Sequence, residues 1–268
     1  MKLRNSSVRV VVMALVMVSS LSLSVQAQSS AFTAPVKSAT PQSLPLLLTL
    51  KGDKIRFSSA AFSPDGKRIV TTTMDRTVRL INGATAKVWD ASSGKLIRTL
   101  EDRSNGVITA AFSPDGSSIV TTGYDKTAKV WDASSGKLIR TLGHSNIVYS
   151  AAFSPDGTRI VTTSYDGTAK VWDASSGKFI RTLEDRSNGV LTATFSPDGT
   201  RIVTTSYNKT AKVWDASSGK LILTLSGHSN IVYSAAFSPD GTRIVTASSD
   251  NTAKVWDASS LREGAAPN

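Results

Sequence analysis

Thr127–Lys137 reads TAKVWDASSGK, and the same eleven letters stand at Thr85–Lys95, Thr168–Lys178 and Thr210–Lys220. A fifth copy starts at Thr252 and breaks off after Ser260, where Leu261 replaces the glycine. The tryptophans of these copies, Trp89, Trp131, Trp172, Trp214 and Trp256, are spaced by 42, 41, 42 and 42 residues. A period of this size marks an array in which one supersecondary unit is copied and stacked, so the 268 residues hold one repeat domain.

Outward from the phrase, residues 138–178 give the unit. LIRTL is a β-prone run, GHSN a polar connection, IVYSAAF a second strand, SPDG a turn, TRIVTTSY a third strand, DGT a tight turn, AKVW a fourth strand, and DASSG a turn again. In SPDG, Pro155 sets the first corner, Asp156 tolerates the second, and Gly157 takes the left-handed conformation that ends a short hairpin loop. Apolar residues fall on both faces of the resulting antiparallel sheet, which cannot stand alone in water. Radial stacking of copies around an axis covers both faces, and this predicts an all-β propeller of five four-stranded blades.

The order Gly143-His144, Phe153-Ser154-Pro155-Asp156-Gly157, then Asp166 ahead of Trp172-Asp173 resembles the WD-repeat β-propeller family over about residues 44–260. The resemblance implies a structural hydrogen-bond chain through His144, Thr162, Asp166 and Trp172, and a second through His228, Thr246, Asp250 and Trp256. The other copies depart from the pattern. Glu101-Asp102 and Glu184-Asp185 stand where Gly-His would be, Gly52-Asp53 opens the first repeat, and Asn208 replaces the turn aspartate.

The first repeat carries eight extra residues: Phe62 and Trp89 are 27 apart, where the matching pairs elsewhere are 19 apart. Asp75–Asn82 and Gly83–Asp90 resemble each other, as an unequal duplication would leave them, and Trp89 is expected to take the usual tryptophan place. Each repeat ends on a strand of the type KLIRTL, but none follows Trp256-Asp257. Leu46–Leu50, LLLTL, matches that strand and is expected to complete the last blade and close the ring, removing an edge open to aggregation. A closed monomer is the favoured arrangement, and a horseshoe that dimerises into a larger ring is the alternative.

Residues 1–27 have the grammar of a cleaved signal peptide: Lys2, Arg4 and Arg9, the apolar run from Val10 to Val18, and the small-residue site Val25-Gln26-Ala27. Serines 19, 20, 22 and 24 leave too short an unbroken run for a retained membrane anchor. A periplasmic or secreted location is therefore expected. Residues 28–43 read as a flexible spacer and 261–268 as a disordered tail. The chain has no cysteine, so it must hold together without disulfides. Its net charge of +11 becomes +8 once the three cations of residues 1–27 are removed, and such a surface favours anionic partners. Its basic residues recur with the repeat instead of clustering between aromatics, which argues against nucleic acid.

Nothing in the sequence points to catalysis, a cofactor or a metal. Both histidines lie in the Gly-His pairs, the aspartates recur in SPDG or after tryptophan, and no calcium loop, nucleophile elbow or phosphate loop occurs. The functional lead is tyrosine. Tyr124, Tyr165 and Tyr207 precede the second turn, and Tyr149 and Tyr233 lie at the start of the strand after the polar connection. By the family resemblance these positions open onto one face, and tyrosine is a favoured binding anchor. A protein partner is the expected ligand, with an anionic glycan or envelope polymer as the alternative.

Overall fold

The computed structural model describes residues 45–51, 56–74, 85–101 and 106–261. Among the described residues, nineteen strands fall into five antiparallel sheets in chain order. Blade one holds β1 (Arg56–Phe62), β2 (Arg68–Met74), β3 (Ala86–Asp90) and β4 (Leu96–Leu100). Blade two holds β5 (Val107–Phe112), β6 (Ser118–Gly123), β7 (Thr127–Asp132) and β8 (Leu138–Gly143). Blade three holds β9 (Val148–Phe153), β10 (Arg159–Ser164), β11 (Thr168–Asp173) and β12 (Phe179–Glu184). Blade four holds β13 (Val190–Phe195), β14 (Arg201–Ser206), β15 (Ala211–Asp215) and β16 (Leu221–Leu225). Blade five has only β17 (Val232–Phe237), β18 (Arg243–Ser248) and β19 (Ala253–Asp257).

The turns follow from their residues. Gly157 has φ 71°, its N–H donates to Ser154 O at 2.8 Å, and Ser154 N–H donates across the hairpin to Arg159 O at 2.9 Å. Sheet membership shifts the blade boundary relative to the repeated phrase. The strand after DASSG, such as Leu138–Gly143, pairs back onto the tryptophan strand before it and so ends the preceding blade. Trp89 takes the tryptophan place in blade one, opposite Ile69. The duplicated segment ahead of it, Asp75–Ala84, lies outside the described residues, as do residues 1–44 and 262–268.

The core lies between blades. Val161, Ala169, Val171 and Leu183 of blade three bury against Val190, Ala193, Phe195, Ile202, Trp214 and Ala216 of blade four, and the other three joints are built likewise. An arginine pins three of the four joints. Arg159 lies 5.2 Å over the Phe195 ring and donates to Gly199 O at 2.8 Å; Arg68 over Phe112 and Arg201 over Phe237 repeat the contact. Blade two has Ser118 at that place and makes no such contact with blade three.

Closure of the ring is not shown. Blade five remains three-stranded, and Leu46–Leu50 forms no strand with β19. The leucines lie instead on blade one: Leu48 Cδ1 and Leu50 Cδ2 each come within 3.5 Å of where a Cβ on Gly94 would stand. Arg98 and Leu100 hold the equivalent places beside Gly136, and Arg181 and Leu183 beside Gly219. The segment is therefore seated as an outer strand relative to the blade that follows it, while it forms no strand with the blade it would complete.

Candidate functional site

Four tyrosines from three blades converge. The backbone N–H groups of Tyr124, Tyr165 and Tyr207 donate to Gly106, Ile147 and Gly189 carbonyls at 3.2, 3.0 and 3.2 Å, which fixes each residue at the mouth of its blade. Tyr149 enters from the start of β9. Its ring meets Tyr165 edge-to-face at 6.1 Å, and Tyr165 meets Tyr207 at 6.0 Å and 89°. Gly106 and Gly189 lie directly against these rings, with the site of a Gly106 Cβ only 2.8 Å from Tyr124 Cδ2.

Burial, then the hydrogen bond with Tyr207 and the nearness of Tyr165 and Tyr124, pushes the Tyr149 phenol well above its ordinary value. Tyr149 is thus neutral at any physiological pH and offers its hydroxyl as donor and acceptor. Tyr165 is the exposed member at 46%, and the other three are half-buried. Tyr233 occupies on β17 the place of Tyr149 on β9, but makes no ring contact among the described residues; the turn position beside it holds Ser249, not tyrosine.

The histidine chains sit inside their blades. Trp172 Nε1–H donates to Thr162 Oγ1 at 2.8 Å, Thr162 Oγ1 is 2.7 Å from His144 Nε2, and His144 Nδ1 is 2.9 Å from Asp166 Oδ2. One arrangement of protons satisfies all three: Thr162 donates to a bare Nε2, and Nδ1–H donates to the carboxylate. Trp256, Thr246, His228 and Asp250 repeat this at 2.9, 2.8 and 2.8 Å. Burial draws the His144 pKa down from 6.5, against the opposing pull of Asp166. For Asp166 burial acts to raise the pKa, yet bonds from Thr168, His144 and the Ser145 backbone together hold it at about 2.

The departures from the repeated pattern keep half of this chain. Trp89, Trp131 and Trp214 still donate to Thr71, Thr121 and Thr204 at 2.8, 2.9 and 2.9 Å. In blade four the remaining half is rebuilt. Asp185 is buried in the place of the histidine, Asn208 Nδ2 donates to its Oδ1 at 3.2 Å, and Lys212 Nζ donates to the same oxygen at 2.6 Å. Sequence reading missed this network. Its signal was the paired change, an acid at 185 where blade three has histidine and an amide at 208 where it has an acid.

Among the described residues no group of three or more histidines, cysteines or acids could hold a metal ion. No described helix is long and apolar enough to cross a membrane.

The family model for the WD domain, G-beta repeat, matches residues 45–82, 94–132, 136–173, 177–215 and 219–257. The chain belongs to the WD-repeat family. The four matched segments from residue 94 onward begin at the outer strands and each joins the last strand of one blade to the first three of the next, whereas the first covers Leu46–Leu50, β1 and β2 and ends at residue 82, ahead of β3. Among curated proteins none matches the chain. WD repeats commonly serve as protein-interaction scaffolds and are generally not catalytic.

Proposed function

We propose that this WD-repeat chain is an exported scaffold that binds a protein partner through its tyrosine-bearing face, without catalysis. The observation that carries the reading is the edge-to-face run of Tyr149, Tyr165 and Tyr207 across blades three and four. Rings locked against one another have little rotamer freedom to lose on binding, and they present both apolar area and hydroxyls. The spacing of family repeats supports a scaffold, and export is supported by the basic, apolar and small-residue segments of residues 1–27.

The test is cross-linking of the chain in its native compartment, followed by binding of the captured protein to purified wild type and to the Tyr165→Ala/Tyr207→Ala double variant. Loss of binding by a variant that keeps its far-ultraviolet spectrum supports the reading, and equal retention removes the tyrosine face. The net charge of +8 that remains once Lys2, Arg4 and Arg9 leave with residues 1–27 favours a second reading, an anionic glycan, whose binding would fade with added salt.

A further inference from the structure

Blades three and five are nearly the same sequence in different surroundings. Val171 of β11 is 0% exposed and Val255, the same letter of the phrase in β19, is 67% exposed. Val161 and Val245 repeat the contrast at 0% and 43%. The outer face of blade five is therefore a finished joint surface with no other blade packed on it among the described residues. Arg243, the counterpart of Arg159 and Arg201, stands exposed on that face.

Blade one presents the opposite half. Phe62 is 55% exposed, whereas its counterpart Phe195 is 7% exposed beneath Arg159. Phe57 is 42% exposed, whereas the residue at its place in the other blades, such as Val190, is fully buried. A Cβ on Gly66 would meet nothing within 4 Å, while one on Gly116, Gly199 or Gly241 would meet an arginine Nη2 at 3.2–3.4 Å. Leu48 and Leu50 are already seated beside Gly94, as Arg181 and Leu183 are seated beside Gly219.

The two ends of the array thus carry the two halves of the joint the chain makes internally, and within one chain they do not meet. Four close-packed joints fix the angle between blades, and interdigitated side chains do not deform continuously to swing the ends together. We propose that blade five takes up blade one of a second copy of this chain, head to tail, with the second copy's leucine segment added to β19 as its fourth strand. The register follows that of β11 with β12: Ala253 opposite Leu50 of the second copy, Val255 opposite its Leu48, and Trp256 opposite its Leu46. Arg243 then lies over the second copy's Phe62 and donates to its Gly66 carbonyl. The strand edge supplies backbone hydrogen bonds, and the valines and phenylalanines supply burial. A head-to-tail joint closes into a ring or continues as a filament, according to its rotation.

The experiment uses the full chain and two variants that each spoil one end at an exposed position, Val255→Lys and Phe62→Lys, with mass measured by light scattering over a range of concentrations. Wild type is expected to form species of two or more chains that grow with concentration. Each variant alone is expected at the mass of one chain. An equimolar mixture is expected to form a species of one chain of each kind and nothing larger, since only one pair of intact ends remains. That recovery also shows that both variants are folded. A wild type that stays a single chain at every concentration, as self-closure would give, overturns the proposal. So does a mixture that stays single, or a lone variant that still associates. Tyrosine binding is not read by this experiment and stands or falls separately.

Discussion

Lys212 Nζ donates to Asp185 Oδ1 at 2.6 Å in the place where blade three joins His144 to Asp166. The two side chains are 13% and 1% exposed, so this is a buried pair anchored by Asn208 and by Thr204, the acceptor of Trp214. A buried lysine deprived of its anion is costly. Asp185→Ala is expected to lower stability by about 3 kcal/mol in urea unfolding. The double variant Asp185→His/Asn208→Asp rewrites blade four in the terms of blade three and is expected to recover most of that loss. Failure to recover would mean that the residue-185 carbonyl, to which Lys212 also donates, cannot hold the lysine once the Asp185 carboxylate is gone, as the Gly143 carbonyl holds Lys170.

The pH dependence of stability has two windows. His144 has a folded pKa below 6.5, so as pH falls through 6.5 the unfolded chain takes up a proton that the folded chain refuses, and stability declines. Asp166 has a folded pKa of about 2 against an ordinary 3.8, so its contribution is complete above 3.8 and is lost as pH falls toward 2. Asp173, Asp198 and Asp215, each also at about 2, add to the second window. In denaturant titrations at constant ionic strength the loss should deepen below pH 4. The stability advantage of wild type over His144→Gln should shrink as pH drops below 6.5. An advantage that grew there would show that the imidazole gains its charge on folding.

Blade two lacks the arginine that pins the other joints. Ser118 pairs with Asp132 as Arg159 pairs with Asp173, and the facing Phe153 and Gly157 have no guanidinium near them. Ser118→Arg should seat over Phe153 and raise stability by about 1 kcal/mol, and Arg159→Ala should lower it by about as much or more. A matched pair of unfolding curves checks both. No gain from Ser118→Arg would mean that the joint between blades two and three is too close to admit the side chain.

The repeated phrase made most of this architecture legible because each letter has a local cause: glycine ends the turns, tryptophan finds a threonine across the strand, and valines face a neighbour. What one copy cannot carry is whether the neighbour is there. Val171 and Val255 share a context in sequence and differ wholly in burial, because one has a fourth blade beyond it and the other has no blade beyond it among the described residues. The leucines of 46–50 could be recognised as an outer strand by pattern, yet pattern does not say which edge a strand will reach. Asp185 and Lys212 escaped notice because they are 27 residues apart and meet only after the sheet forms.

The tyrosines were legible as a set but not as a cluster, and the glycines beneath them decide the difference. Gly189 has φ 145°, and a Cβ there would stand 3.0 Å from Tyr207 Cδ2 and 3.1 Å from Tyr165 Cδ2. Gly189→Ala therefore combines an unfavourable backbone with a displaced pair of rings, and should cost about 2 kcal/mol. Gly143→Ala is the control, since nothing lies within 4 Å of that position, and it should cost no more than about 0.5 kcal/mol. Because Tyr165 and Tyr207 meet edge-to-face, their separation should also weaken the near-ultraviolet circular dichroism of tyrosine in the Gly189 variant alone. If that spectrum survives, the rings are held by Tyr149 from above and not by the space the glycine leaves below, and Tyr149→Phe, which keeps the ring but removes the hydroxyl shared with Tyr207, becomes the variant that should loosen them.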